Sequence, residues 1–191
     1  MQTLKYFSDK YPDISQKSLE LLTKLATETS LKKNEPIVKL GDISKYFYLI
    51  KSGVVRSFYE DEKGKQYIRT IFTANKTTGC LSSLISEGNC KLTYECLTDC
   101  ELYKFNFKEF KKLIKKNHEI AILYGKMLEN VFLLLESKIY DLSVLDATER
   151  YLKLKNEIVN IEDLIPQYHI ASYLNISPVQ LSRIRKKMYS K

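Results

Sequence analysis

The sequence predicts an α+β fold in three parts: an N-terminal antiparallel β-roll, a long helix, and a C-terminal all-helical helix-turn-helix domain. Three observations carry this. Short β-rich runs broken by turns fill Glu35 to about Phe105, the apolar period becomes helical after Asn106, and Gln167 to Lys191 carry the apolar spacing of two short crossed helices. The expected bounds are 1–116 for the roll with flanking helices, 117–145 for the long helix and hinge, and 146–191 for the helix-turn-helix domain.

Taken in order, residues 13–31 read as a helix, with Ile14, Leu19, Leu21, Leu22 and Leu25 on its apolar face. Strands are expected at Ile37 to Leu40, Tyr46 to Ile50, Val54 to Tyr59, Tyr67 to Phe72, Leu92 to Leu97 and Glu101 to Phe105. Asp61-Glu62-Lys63-Gly64 reads as a hairpin turn with Gly64 at positive φ. Closely spaced short strands of this kind close into an antiparallel roll.

Phe107, Phe110, Leu113 and Ile114 mark a short helix, and Ile120 to Val144 form one long helix of roughly 37 Å at 1.5 Å per residue. Its apolar residues, Leu128, Phe132, Leu135, Ile139 and Leu142 among them, cover more than one stripe, so the helix needs two partners. The roll of its own chain is one, and the same helix of a second chain, packed as a coiled coil, is the other. Asp141 to Ala147 read as a hinge, with Asp146 capping the helix that starts at Ala147.

In the C-terminal part, Ile170, Ala171, Leu174, Ile176, Leu181 and Ile184 bury one face of each of two helices. Asn175, which tolerates positive φ, ends the first, and Ser177 caps the second with Pro178 in its first turn. The outward face of the second helix then holds Val179, Gln180, Ser182, Arg183, Lys186 and Lys187, a surface that suits a major groove. From Pro166 onward there are five Lys or Arg and no Asp or Glu, against a formal net charge of +8 for the 191 residues. Such a basic surface attracts phosphates by counterion release, so double-stranded DNA is the expected partner.

Composition excludes several classes. No run of apolar residues is long enough to cross a membrane, and Met1 to Lys10 are mixed and charged without an apolar signal region, so a cytoplasmic protein is expected. Cys80, Cys90, Cys96 and Cys100 match no metal-binding spacing and read as buried or half-buried thiols. His118 and His169 are the two histidines and read as surface or capping residues. No nucleophile elbow, phosphate-binding glycine loop or His-Glu-x-x-His run is present, so no enzyme is expected.

The order of parts resembles the Crp/Fnr family of transcription regulators, which join a cyclic-nucleotide-binding-like jelly roll, a dimerisation helix and a helix-turn-helix. The likeness rests on Gly41-Asp42, the run Tyr46 to Val55 and Gly79 in the roll. At the C-terminus it rests on Ala147 to Leu152, Ile165-Pro166-Gln167, Ile170 to Leu174 and Leu181-Ser182-Arg183-Ile184-Arg185. It implies a cytoplasmic homodimer that reads a near-palindromic DNA site, works with RNA polymerase and answers to a small-molecule effector. An adaptor with the same roll whose hairpin binds protein is the alternative. The resemblance places Arg183 where the family's arginine contacts guanine, while Pro178 and Val179 replace its other two base readers. Gln180 then faces a base edge or phosphate, and Ser177, Ser182, Lys186 and Lys187 face phosphates. The sequence ending at Lys191 leads us to expect no terminal β-wing.

Departures from the family concern the effector. Members that bind cyclic AMP carry a Glu for the ribose and an Arg for the cyclic phosphate; counted from Gly79, those places hold Cys80 and Leu81, then Cys90 and Lys91. A lysine is a point charge without the planar fork of an arginine, so neither cyclic AMP nor cyclic GMP is expected to bind. Haem and an iron–sulfur cluster are equally unsupported, with no histidine before His118 and no cysteine before Cys80.

Overall fold

The computed structural model describes residues 11–189; the stretch Met1 to Lys10 and Lys191 of the basic tail lie outside them. The chain begins with α1 (Gln16–Leu25), capped by the Ser15 hydroxyl accepting from the Ser18 amide. Strands β1 (Ala26–Leu31), β2 (Pro36–Val38), β3 (Tyr46–Ser52), β4 (Val55–Glu60), β5 (Gln66–Phe72) and β6 (Thr77–Thr78) follow. After a short helix α2 (Leu81–Ser86) come β7 (Thr93–Cys96) and β8 (Cys100–Asn106). The strands form two antiparallel four-stranded sheets, ordered β1-β8-β3-β6 and β2-β7-β4-β5. Between them Tyr48, Ile50, Val55, Cys96, Cys100 and Leu102 make a buried core.

The expected helix over 13–31 is corrected: it stops at Leu25, and Ala26–Leu31 is an edge strand paired with β8 from Ala26 opposite Phe105 to Leu31 opposite Cys100. The β-branched Thr27 and Thr29 fit this, and no apolar residue continues the helical stripe past Ala26 until Leu31. Gly64 takes φ +75 in the hairpin turn, as its sequence position requires. Gly53, between β3 and β4, takes φ +96, and a Cβ there would lie 2.5 Å from Asp99 O.

Helix α3 (Phe107–Lys116) closes the roll, and α4 (His118–Val144) leaves it. Asn117 caps α4, whose start lies two residues before the expected Ile120. Ile120 and Leu123 are buried against Leu19, Leu22, Phe47, Phe105 and Phe110, so the first turns of α4 belong to the roll. Helix α4 runs through the expected hinge to Val144, leaving Leu145 and Asp146 as the non-helical link.

The remaining helices are α5 (Ala147–Glu157), α6 (Ile161–Leu164), α7 (Gln167–Tyr173) and α8 (Pro178–Tyr189). A reciprocal capping box starts α5: Asp146 accepts from the Thr148 and Glu149 amides, and Glu149 accepts from the Asp146 amide. Tyr151, Leu154, Ile161, Ile165, Ile170, Ala171, Leu174 and Leu181 form its core. That core is continuous with Val54, Phe58, Ile68, Ile71 and Leu97 of the roll, so the helical part is docked onto the β2-β7-β4-β5 sheet.

Candidate nucleic-acid interface and effector site

Helices α7 and α8 form the hairpin. Asn175 ends the first at φ +56, and the Ile176 amide reaches back to Ala171 O. Ser177 and Gln180 cap α8 reciprocally: the Gln180 amide donates to Ser177 Oγ over 3.1 Å, and the Ser177 amide donates to Gln180 Oε1 over 2.9 Å. Leu181 is buried and Ile184 and Met188 are half-buried, which turns the opposite face to solvent.

On that face Ser177, Pro178, Val179, Gln180, Ser182, Arg183, Lys186 and Lys187 are all exposed, so every residue expected at the interface lies on one surface. Arg185 is different. Its Nε lies 2.7 Å from Glu162 Oε1, and Glu162 also takes Tyr151, Tyr189 and Lys155, which ties α8 to α5 and α6. Burial works against the Glu162 carboxylate, but these donors outweigh it and hold its pKa down at about 2.

The hairpin is clamped from two sides. Ser172 Oγ donates to Gln66 O over 2.9 Å and accepts from the Ile68 amide over 3.0 Å, bridging the edge strand β5. On the other side Lys138 of α4 donates to Tyr173 O over 3.0 Å, with its ammonium 3.5 Å from the Tyr173 ring centroid. Burial pulls the Lys138 pKa down to about 8.

His169 is corrected from a surface to an interior residue: it is 7% exposed and meets Arg56 of β4 at the seam between the roll and the hairpin. Its place on the inward face of α7, among Ile170 and Ala171, carried a signal only once the roll was known to cover that face. Arg56, 6% exposed, also pairs with Glu95 at 2.8 Å and stacks over Phe58.

In the roll, Gly79 takes φ +137, and a Cβ there would lie 3.2 Å from Phe47 Cα. Cys80 and Cys90 are buried with Val38, Leu92 and Tyr94 in one cluster, Leu81 is half-buried, and Lys91 is exposed. The structure therefore joins Cys80 and Cys90 and turns Lys91 away to solvent. All four cysteines are free and buried. Among the described residues no group of three or more His, Cys, Asp or Glu could hold a metal ion, and no helix is long and apolar enough to cross a membrane.

The family model described as "Cyclic nucleotide-binding domain" matches residues 28–117. The roll is thus similar to that family over residues 28–117. The chain is 26% identical over 115 residues to the "cAMP-activated global transcriptional regulator CRP" of Salmonella typhimurium, covering 60% of this chain and 54% of that protein. It thus spans about half the length of the curated relatives it matches first. A "cAMP-dependent protein kinase regulatory subunit" of Eremothecium gossypii is 25% identical over 151 residues, covering 76% of this chain and 31% of that protein.

Among solved structures, FixK2 from Bradyrhizobium japonicum has a TM-score of 0.76 at 20% identity, with 86% of this chain and 85% of that one covered. A putative Crp/Fnr transcriptional regulator from Eubacterium rectale has a TM-score of 0.69 at 18% identity, covering 93% and 84%. The likeness spans the roll, the long helix and the hairpin together, so the chain has the fold of the Crp/Fnr regulators.

Proposed function

We propose that this chain is a homodimeric, sequence-specific DNA-binding transcription regulator that reads a near-palindromic site through α8. The observation that carries this reading is the acid-free exposed face of α8, with Arg183 free of the Glu162 network that engages Arg185. An unengaged guanidinium on a helix of this kind suits bidentate contact with guanine O6 and N7. Ser182, Lys186 and Lys187 flank it and suit phosphates, and Val179 suits a thymine methyl. Gln180 reads a base only by leaving its capping contact with Ser177.

A second copy is the occupant we assign to the outer face of α4. Leu128, Phe132, Leu135, Ile139 and Leu142 follow the alternating four and three spacing of a coiled-coil seam, and Phe132 and Ile139 are 65% and 67% exposed. Gly125 continues the seam, with nothing within 4 Å of a Cβ built there, which leaves room for a close approach of the two helices. Two hairpins joined this way would meet successive major grooves about 34 Å apart. RNA polymerase is the further partner this function requires.

The residues present do not fit a cyclic nucleotide. The places of the ribose-binding carboxylate and the phosphate-binding guanidinium hold thiols packed against Val38, Leu92 and Tyr94. A buried cyclic phosphate without a paired cation costs several kcal/mol, about the whole of a micromolar affinity.

Selection of bound fragments from random duplex, followed by anisotropy at two salt concentrations, tests the reading. A symmetric consensus bound with a steep salt dependence is expected. Absence of salt-dependent binding would instead indicate a protein-binding adaptor.

A further inference from the structure

Two arginines stand on the β2-β7-β4-β5 sheet, and the chain supplies a carboxylate to one of them. Arg56 of β4 faces the hairpin and pairs with Glu95. Arg69 of β5 faces the other way, into the roll, and among the described residues no ion pair includes it. A half-buried guanidinium without a counter-ion is open to an anion.

A bulge sets its direction. Ser57 lies opposite Thr70 and Phe58 opposite Ile68, so Arg69 is the extra residue of β5 and is turned to the same inner face as Ser57. On the other flank of β4, Ser57 lies directly opposite Tyr94 of β7. Arg69 and Tyr94 therefore come from the two strands beside β4 and meet over Ser57, where Arg69 Nη2 donates to the Tyr94 hydroxyl across 3.2 Å. The small serine leaves them room.

These three residues offer donors and no acceptor in use. Arg69 Nε is buried without a partner, and so is Ser57 Oγ, on a residue that is 0% exposed. The Tyr94 hydroxyl accepts from Arg69, and no acceptor takes its own proton. Burial keeps that proton in place, raising the Tyr94 pKa to about 12 although the charge of Arg69 works against it. Native interiors pair nearly all such groups, so two orphans around one bridge mark a place for a ligand.

We propose that the roll holds a short-chain carboxylate, of the size of acetate, over Ser57. The Nε–Nη2 edge of Arg69 matches the two oxygens of a carboxylate, and Nη2 keeps its second hydrogen for Tyr94. The hydroxyls of Tyr94 and Ser57 supply the remaining donors. The Phe72 ring, its centroid 6.2 Å from that of Tyr94, offers hydrocarbon to a short alkyl tail. Because Ser57 is 0% and Tyr94 2% exposed, only an anion of a few atoms reaches both without parting the sheets, which excludes a nucleotide.

The preceding residue, Ile68, faces the hairpin, and its amide donates to Ser172 Oγ of α7. Ligand and hairpin thus share one strand. Any consequence for DNA rests on the proposed function; the carboxylate site does not.

Proton–nitrogen correlation NMR of the arginine side chains in the full chain tests the site, with the Arg69 Nε–H signal assigned by its loss in Arg69→Lys. Replacing sodium chloride by sodium acetate at constant ionic strength should shift that signal saturably. Ser57→Ala removes an orphaned hydroxyl and strands no partner, so it should keep the fold and weaken acetate by on the order of tenfold. Neither phosphate nor cyclic AMP should reproduce the shift. No saturable shift with acetate, the same shift with phosphate or cyclic AMP, or an acetate affinity unchanged in Ser57→Ala would each overturn the proposal. Absence of binding to any duplex, with the acetate shift intact, would count against the regulator reading alone.

Discussion

Arg56 Nη1 lies 3.3 Å from His169 Nδ1, across the seam between the β-roll and the α7–α8 hairpin. A guanidinium can only donate, so Nδ1 accepts and the imidazole is neutral with its proton on Nε2. The pair joins a strand of the roll to the first helix of the hairpin, and Glu95 balances the arginine from the far side.

That contact makes the seam acid-sensitive. Burial first, then the charges of Arg56 and Lys33, pull the His169 pKa from 6.5 down to about 4. The unfolded histidine takes up its proton near 6.5 and the folded one only near 4, so stability is whole above 6.5 and falls as the pH drops from 6.5 to about 4. The loss should be on the order of 3 kcal/mol. Denaturant titrations across that range should show it, and His169→Gln should flatten the slope. An unchanged slope in the variant would assign the acid sensitivity to other groups.

How far the sequence carried depends on the range of each interaction. The caps at Asp146 and Ser177, the positive φ of Asn175, and the exposed face of α8 were legible because each is decided within about four residues. Strand β1 was not, since Thr27 and Thr29 pair with residues over seventy positions away on β8. His169 was misplaced for the same reason: Arg56, 113 residues distant, is what buries it. Around Gly79 the sequence showed which of the family's nucleotide-binding groups were missing, but the burial of Cys80 and Cys90 in one cluster and the outward turn of Lys91 needed the folded chain.

Arg183 and Arg185 should separate reading from support. Arg183→Ala removes an exposed, unengaged guanidinium, so affinity for the selected site should fall by ~1–3 kcal/mol with the melting temperature unchanged. Arg185→Ala breaks the ion pair with Glu162 and should lower the melting temperature first. Equal losses on selected and random duplex for Arg183→Ala would mean that it holds phosphate.

The α4 seam predicts oligomeric state. Ile139→Asp places a carboxylate at the middle of the exposed apolar stripe, where a coiled coil would bury it. Sedimentation should show a monomer for the variant and a dimer for the unsubstituted chain. Because Ile139 lies outside the roll core, the circular dichroism of the sheets should be preserved. A dimer that survives the substitution would place the interface elsewhere.

Ser172 is the test of the docking itself. Strand β5 is the edge of its sheet, and its outward groups Gln66 C=O and Ile68 N–H have the Ser172 hydroxyl as partner in place of a further strand. Ser172→Ala leaves both without that partner at a half-buried seam, at a cost of about 1–3 kcal/mol. Hydrogen exchange at the Ile68 amide should accelerate, while the amides of α8, held by their own cap, should keep their protection. If Ile68 stays protected, another group holds the hairpin against the roll. If α8 loses protection along with it, the hairpin depends on the roll for its own fold.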